Sequence, residues 1–390
     1  MDHRTKFEGI WTRVRSELMD HVASEGMIPE ALEWYGKNLD YNMTGGKLNR
    51  GLHVMETAQI IKGEELDDNE YYKAAVLGWA VELLGAFLIV LDDITDNSMM
   101  RRGKPCWYRV PSVGLIAVND ASMLESAIYY LLKRHFRHTP YYVDLLELFH
   151  DTTYQTEMGR LIDITTALEG NFDVNRFSLD KHRLMVIYKT AFYSFYLPVA
   201  LGMRLTGVPE SYTLEGKTVE PYKVALSILL PLGEYFQTQN DFFDFSAPPE
   251  LVGKIQVGTD ILENKCSWCV NIALALATPE QRKVLDENYG QKDPTAEARV
   301  KEVFEAVGVR ESYAKYEAEM YERLKELIAA IPESPEAGHS QAPNLHDLLG
   351  ENPQATQVGF LPHRQLSFTC SHICTSGFSM PQCCGYYCLV

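Results

Sequence analysis

Apolar residues recur along most of this chain at three- and four-residue intervals, the spacing of one helical face, and no run of any length alternates apolar and polar as a strand would. Residues 4–37 mix apolar and charged positions at that spacing, with Gly36 as the expected stop. A helix is predicted from Tyr71 to Met100, ended by Gly103 and Pro105, and another over residues 119–136 with Asn119 as its cap. Residues 141–168 continue in the same way. Residues 184–203 are almost wholly apolar or aromatic, which predicts a helix buried on most sides, with a kink between Ser194 and Pro198. Residues 222–245 predict one more, broken by Pro248, Pro249 and Gly253, and charge-laced amphipathic helices fill 278–331. No internal repeat is present. The pattern predicts an all-α fold in one helical domain, residues 1–332. From residue 333 onward helical spacing is lost, and a disordered tail is expected over 333–390.

Composition narrows this picture. Hydrophobic residues at 46% and aromatics at 11% of 390 are ample for a core. A formal charge of −17 argues against nucleic acid as a partner, because phosphate backbones need a basic footprint. The N-terminal segment mixes acids and bases without an apolar core, so no export or transit signal is expected. The most apolar stretch, Ala74 to Leu91, is interrupted by Glu82 and runs into aspartates, and is read as a core helix rather than a membrane span. Only Cys106, Cys266 and Cys269 precede residue 333, while five cysteines crowd the last 21 residues. That distribution is no disulfide framework, and a cytoplasmic enzyme is the expectation. The tail cysteines, His363 and His372 match no zinc spacing, and Tyr387 stands where a prenylation signal needs cysteine.

Candidate chemistry centres on residues 83–109, where the apolar run LLGAFLIVL passes into Asp92, Asp93 and Asp96, followed by Arg101 and Arg102. Asp92 and Asp96 share a helical face with Asp93 beside them. Carboxylates so placed repel unless a cation sits between them, and Mg²⁺ commonly bridges carboxylates to substrate phosphates. The arginines offer planar forks of donors for phosphate oxygens. Taken alone, such a cluster is more often a solvated helix end. In TGGKLNRGL, residues 44–52, Lys47 and Arg50 stand at an expected helix start, an anion site in principle and an ordinary glycine-rich turn by default. Lys189 lies deep in an apolar helix and needs an anion partner or a route to solvent. Gln237, Asn240, Asp241 and Asp244 fall on one helical face among Phe242, Phe243 and Phe245. Two acidic clusters, an arginine pair and a buried lysine together describe a Mg²⁺–diphosphate site beside a greasy wall.

With these segments in place the chain resembles the trans-prenyl diphosphate synthases, and among them the eukaryotic farnesyl diphosphate synthases. The likeness is carried by GGKLNRGL (45–52), DDITDNSMMRRGKPCWYR (92–109), YKTAFYSFYLPVA (188–200), FQTQNDFFD (236–244) and GTDILENKCSW (258–268). The resemblance implies a helical bundle of isoprenoid-synthase type around a central cavity, a homodimer, and three Mg²⁺ ions on an allylic diphosphate. It implies metal ligation by Asp92, Asp93, Asp96, Asp163, Asn240, Asp241 and Asp244. Arg101, Lys189 and Lys254 would bind the allylic diphosphate, Lys47, Arg50 and Arg102 that of isopentenyl diphosphate, and Lys265 would also bind substrate. Thr190, Tyr193 and Gln237 would lie near the reacting carbons, with Asp92, Asp96, Arg101, Lys189, Thr190, Gln237 and Asp241 as the catalytic set. Asn240 departs from the family's aspartate, Gly85 and Arg160 each from a glutamine, Gln256 and Val257 are an apparent insertion, and the basic C-terminal segment is missing. An amide at position 240 predicts weaker binding of one Mg²⁺, and the departures together point to a paralogue in specialised metabolism. Phe87 and Leu88, at the expected cavity floor, predict a short product, geranyl or farnesyl diphosphate. Two alternatives stand beside this. A class I terpene cyclase would want Ser or Thr four residues after Asn240 and Glu eight after, where Asp244 and Pro248 are found. A catalytically weak regulatory member is the other.

Overall fold

The computed structural model describes residues 3–167, 173–247 and 258–331, which leaves Lys254, the Gln256–Val257 pair and the expected tail outside the described residues. The described residues are helical apart from short connections and two small hairpins, as the periodicity predicts. They divide into two compact units, one of residues 3–153 with 197–222, the other of 154–196 with 223–331. No composition shift in the sequence marks that division.

In the first unit the expected helix over 4–37 is two, α1 (His3–Ser24) and α2 (Pro29–Asn42). The chain breaks at Gly26, which takes a left-handed φ of 79°, and Pro29 starts α2. Gly36 is not a stop. It is buried inside α2 where a Cβ would stand 3.2 Å from the Arg15 guanidinium, so its missing side chain serves packing.

α3 (Asn49–Lys62) follows, then α4 (Asp68–Thr95). α4 starts three residues before the expected Tyr71, at a capping box in which the Asp67 carboxylate accepts from the Asn69 and Glu70 N–H groups and Glu70 accepts from the Asp67 N–H. From Ala74 to Leu88 every α4 residue is buried, and Trp79 stacks on Phe7 at 4.6 Å. α4 and the stretch Leu179–Leu205 are long and apolar enough to cross a membrane, but 89% of the α4 window lies inside the protein, the mark of a core helix.

α5 (Ile116–Phe136) starts before Asn119, which lies within the helix and is not its cap; Leu115 precedes the first turn and no side chain caps it. α6 (Tyr142–Thr166) agrees with its prediction to within two residues. Two hairpins were not foreseen, Met100–Arg101 with Lys104–Pro105 and Tyr212–Leu214 with Lys217–Val219, because strands of two or three residues are too short to show alternation.

In the second unit the expected helix over 184–203 begins as α7 (Leu179–Val186) and continues as a π-helical segment, Ile187–Tyr196. α8 (Leu197–Leu205) resumes the chain in the first unit. Pro198 has no N–H to offer the Ser194 carbonyl, which is why the predicted kink region is where the wider turn ends. α9 (Pro221–Ser246) carries the second acidic cluster. α10 (Thr259–Leu262), α11 (Trp268–Leu276), α12 (Pro279–Asn288), α13 (Pro294–Ala306) and α14 (Val309–Ala329) complete the described chain. Phe242 and Phe245 of α9 join Trp268, Tyr289, Phe304 and Tyr313 in this unit's core, with Phe242 stacked on Tyr313 at 3.8 Å. Those phenylalanines anchor the helix on which the acidic residues sit.

Candidate active site

In the first unit α3 and α4 cross glycine to glycine. A Cβ on Gly51 would stand 3.0 Å from the Gly78 carbonyl oxygen and 2.6 Å from the Phe7 ring, and one on Gly78 would meet the Gly51 carbonyl at 2.6 Å. One turn beyond Gly78, the buried Glu82 carboxylate accepts the Gly51 N–H at 2.9 Å, an orphan donor of the first turn of α3. This close approach fixes the start of α3, and with it Lys47 and Arg50, against the core helix.

The Met100–Arg101 hairpin turns through Arg102 and Gly103, both at positive φ (53° and 74°), the requirement of a two-residue primed turn. Arg102 is thereby carried back over Gly46, where a Cβ would lie 2.9 Å from its guanidinium carbon, and it donates to the Asn42 and Thr44 carbonyls at 3.1 and 3.3 Å. Burial lowers its pKa, Glu82 opposes that, and Arg50 and Arg101 are close enough to add to it. Lys47, Arg50 and Arg102 thus belong to one neighbourhood around a side-chain-free Gly46, a set suited to an anion.

At the other end of the same stretch Asp92 and Asp93 occupy the last turn of α4, and Asp96 is its C-cap residue. A helix C-terminus is already negative, and this last turn holds no basic residue. Three carboxylates there call for cations. Arg101 answers Asp93, donating to one carboxylate oxygen at 2.6 and 3.0 Å. Burial pushes the Asp93 carboxyl up and Arg101 opposes it. Asp93 and Arg101, expected on a metal and on a diphosphate, are therefore tied first to each other.

In the second unit the π-helical segment is gripped from two sides. A Cβ on Gly159 of α6 would come within 2.2 Å of the Lys189 backbone nitrogen, and one on Gly233 of α9 within 2.4 Å of the Ala191 Cβ. The first contact brings Lys189 onto α6, where its ammonium donates to Asp163 at 2.6 Å; Lys265 reaches the same oxygen at 3.4 Å. Burial alone would raise the Asp163 carboxyl, but the two lysines hold it well below the ordinary carboxylate range. Thr190 and Tyr193 are buried on the same segment. Gly159→Ala is expected to cost about 1–3 kcal/mol of stability by overpacking and to lower turnover by displacing Lys189, checked by urea unfolding and steady-state rates.

Gln237, Asp241 and Asp244 share one helix as the spacing predicts, yet the two carboxylates are already engaged. Asp241 accepts from Gln237 Nε2 at 2.9 Å on one oxygen, and on the other it meets the His182 ring nitrogen and the Trp268 N–H, each at 2.8 Å. Asp244 accepts from the Thr259 hydroxyl at 3.1 Å and the Asp260 N–H at 3.0 Å, fastening the start of α10. Asp241, expected as a metal ligand and catalytic group, is thus first an organiser of α7, α9 and α11. Asn240 beside it is partly exposed. Arg160, on the buried face of α6, pairs with Glu157 at 3.2 Å. His182 was missed by sequence reasoning; a histidine among charged residues at a helix start gives no sign that it is buried.

Among the described residues no group of three or more His, Cys, Asp or Glu side chains converges as a metal cage. Mg²⁺ commonly takes one or two carboxylates and completes its shell with water and substrate phosphate. Asp92 and Asp96, one turn apart at a negative helix end, fit that donor set.

Residues 32–307 match the polyprenyl synthetase family. The chain belongs to that family and is a prenyltransferase. The farnesyl pyrophosphate synthase of Ganoderma lucidum is 58% identical over 329 residues, 84% of this chain and 89% of that protein. The farnesyl pyrophosphate synthase of Saccharomyces cerevisiae is 50% identical over 334 residues, 85% of this chain and 92% of that one. Among solved structures, T. brucei farnesyl diphosphate synthase complexed with the bisphosphonate BPH-722 superposes with a TM-score of 0.77 at 32% identity, covering 85% of this chain and 94% of its own.

Proposed function

We propose that this chain is a farnesyl diphosphate synthase, joining isopentenyl diphosphate head-to-tail to dimethylallyl diphosphate and then to the geranyl diphosphate so formed. The observation that carries this reading is the presence, within one unit, of two unlike sites along one helix: the Lys47–Arg50–Arg102 neighbourhood near Glu82 and the Asp92–Asp96 pair ten residues on. A condensation of two diphosphates needs both. A cyclase has a single diphosphate to bind and no use for the first.

In this reading Lys47, Arg50 and Arg102 hold isopentenyl diphosphate by charge-assisted hydrogen bonds. Asp92 and Asp96 hold Mg²⁺, whose chemistry is Lewis-acid stabilisation of negative charge on the leaving diphosphate. Within the second unit, Lys189 and Lys265, both on Asp163, are fixed cations of the kind that bind diphosphate oxygens. The C1–O bond of the allylic substrate breaks, its electron pair leaves with diphosphate, and the allylic cation is attacked by the isopentenyl double bond. A C–C bond forms and a proton is lost from C2 to the released diphosphate. Apolar walls such as those of α4 keep water from the cation. We also propose a homodimer; exposed Leu115, Ile116 and Val118 on and beside α5 offer it apolar surface, and elution at twice the chain mass is the expected result.

The test is chromatography of dephosphorylated products after incubation with dimethylallyl and isopentenyl diphosphates and Mg²⁺. Farnesol is expected; no product, or a hydrocarbon released from farnesyl diphosphate alone, contradicts the reading. A neutral amide at Asn240 lowers the charge available to a divalent ion. Asn240→Asp is therefore expected to lower the Mg²⁺ concentration for half-maximal rate about tenfold, since ligand charge count sets such affinities; a titration of rate against Mg²⁺ checks it.

A further inference from the structure

Gly85 is buried in the middle of α4, yet a Cβ placed on it would meet no side chain, and no backbone beyond its own turns, within 4 Å. The buried helical glycines Gly51, Gly78, Gly159, Gly202 and Gly233 behave in the opposite way, each striking a neighbour at between 2.2 and 2.6 Å, and Gly36 meets the Arg15 guanidinium at 3.2 Å. Those are glycines because helices touch there. Gly85 has no such reason, and a mid-helix glycine is worse than alanine for a helix. What has to be explained is the open space.

Its place along α4 is informative. Glu82, Gly85, Ile89 and Asp92 follow one another at three- and four-residue steps and so share a face. At one end Glu82 is tied to Gly51 of α3 and feels the charge of Arg102. At the other stand the carboxylates at the end of α4. Glu82 and Asp92 are about 15 Å apart along the axis, and the open space lies one turn from Glu82. Ile89, next on that face, is apolar and half-buried.

We propose that Gly85 sets the substrate range of the isopentenyl subsite, the space beside it admitting an isopentenyl-type diphosphate that carries an extra carbon as an alkyl branch. The proposal rests on the reading of Lys47, Arg50 and Arg102 as the isopentenyl diphosphate site. A missing side chain on an apolar stretch beside an anion site gives room to carbon rather than to a second charge. One methylene in a shaped apolar pocket is worth about 10- to 200-fold in discrimination, so filling the space should be easy to see.

The experiment compares kcat/KM for isopentenyl diphosphate and for 3-ethylbut-3-enyl diphosphate, each with dimethylallyl diphosphate and Mg²⁺, in the full chain and in Gly85→Ala and Gly85→Val. The full chain is expected to prefer isopentenyl diphosphate by less than about tenfold, and each variant to widen that preference by a further factor of about ten or more. Alanine enters an open helical position, so the thermal midpoint of Gly85→Ala is expected to stay or rise, which separates a narrowed substrate range from damaged folding. Rejection of the homologue by the full chain, or variants in which both rates fall together, overturns the inference while leaving the functional reading intact. No turnover with isopentenyl diphosphate itself overturns the functional reading and this inference with it.

Discussion

Asparagine at both Asp92 and Asp96 is expected to lower kcat/KM for condensation at least about a thousandfold, because one lost transition-state contact of this kind already costs 10²–10³. The same change is expected to stabilise the protein in the absence of divalent ions. Both side chains sit at the negative C-terminal end of α4, whose last turn holds no basic residue, although Arg101 on the following hairpin feels the charge of Asp92. Each carboxylate removed from such a place returns about 0.3–1 kcal/mol. Steady-state rates and a thermal midpoint measured without divalent ions check the two halves separately. Opposite signs are the point: a site kept for chemistry at the expense of stability shows both.

Lys189→Met is expected to act in the other sense, costing stability as well as activity. Asp163 is almost fully buried and takes its closest hydrogen bond from Lys189, with Lys265 more distant at 3.4 Å. Breaking a buried pair costs about 3–5 kcal/mol, and here the more distant Lys265 offsets part of that. Burial then lifts the Asp163 carboxyl, which the lysines otherwise hold below the usual range. A depressed carboxyl contributes stability that is present above its unfolded pKa, about 3.9, and is lost as pH falls towards its folded value. The gap between wild type and Lys189→Met should therefore be largest near neutrality and narrow on acidification to pH 4.5, because the carboxyl, no longer held down by Lys189, takes up its proton more readily in the variant. Urea unfolding at the two pH values measures it, and a gap that does not change with pH would mean that Asp163 is not the group left exposed to its own charge.

Periodicity carried the fold a long way, since a 3.6-residue pattern reports which face of each helix is buried whatever lies opposite. Where it failed, the cause was local. Residue type alone makes Gly36 a stop and Asn119 a cap, whereas Gly36 serves a close contact with Arg15 and α5 starts without any side-chain cap. The spacing of Gln237, Asp241 and Asp244 was legible because it is a property of one helix. The bonding of Asp241 to His182 and the Trp268 N–H was not, because those donors lie 59 and 27 residues away and only tertiary packing brings them in. The glycines that place Lys189 and Arg102 gave no sign either: a sequence shows a missing side chain, not the atom that needs its room. Gly85 is the mirror case, a glycine whose room is left open.

The most direct test of the central claim is calorimetric binding of the unreactive thio-analogue of dimethylallyl diphosphate, with and without Mg²⁺, to the full chain and to the Asp92→Asn/Asp96→Asn variant. Tight binding that requires Mg²⁺ is expected in the wild type, and in the variant that requirement is lost together with most of the affinity. Equal, Mg²⁺-dependent binding by both proteins would contradict it.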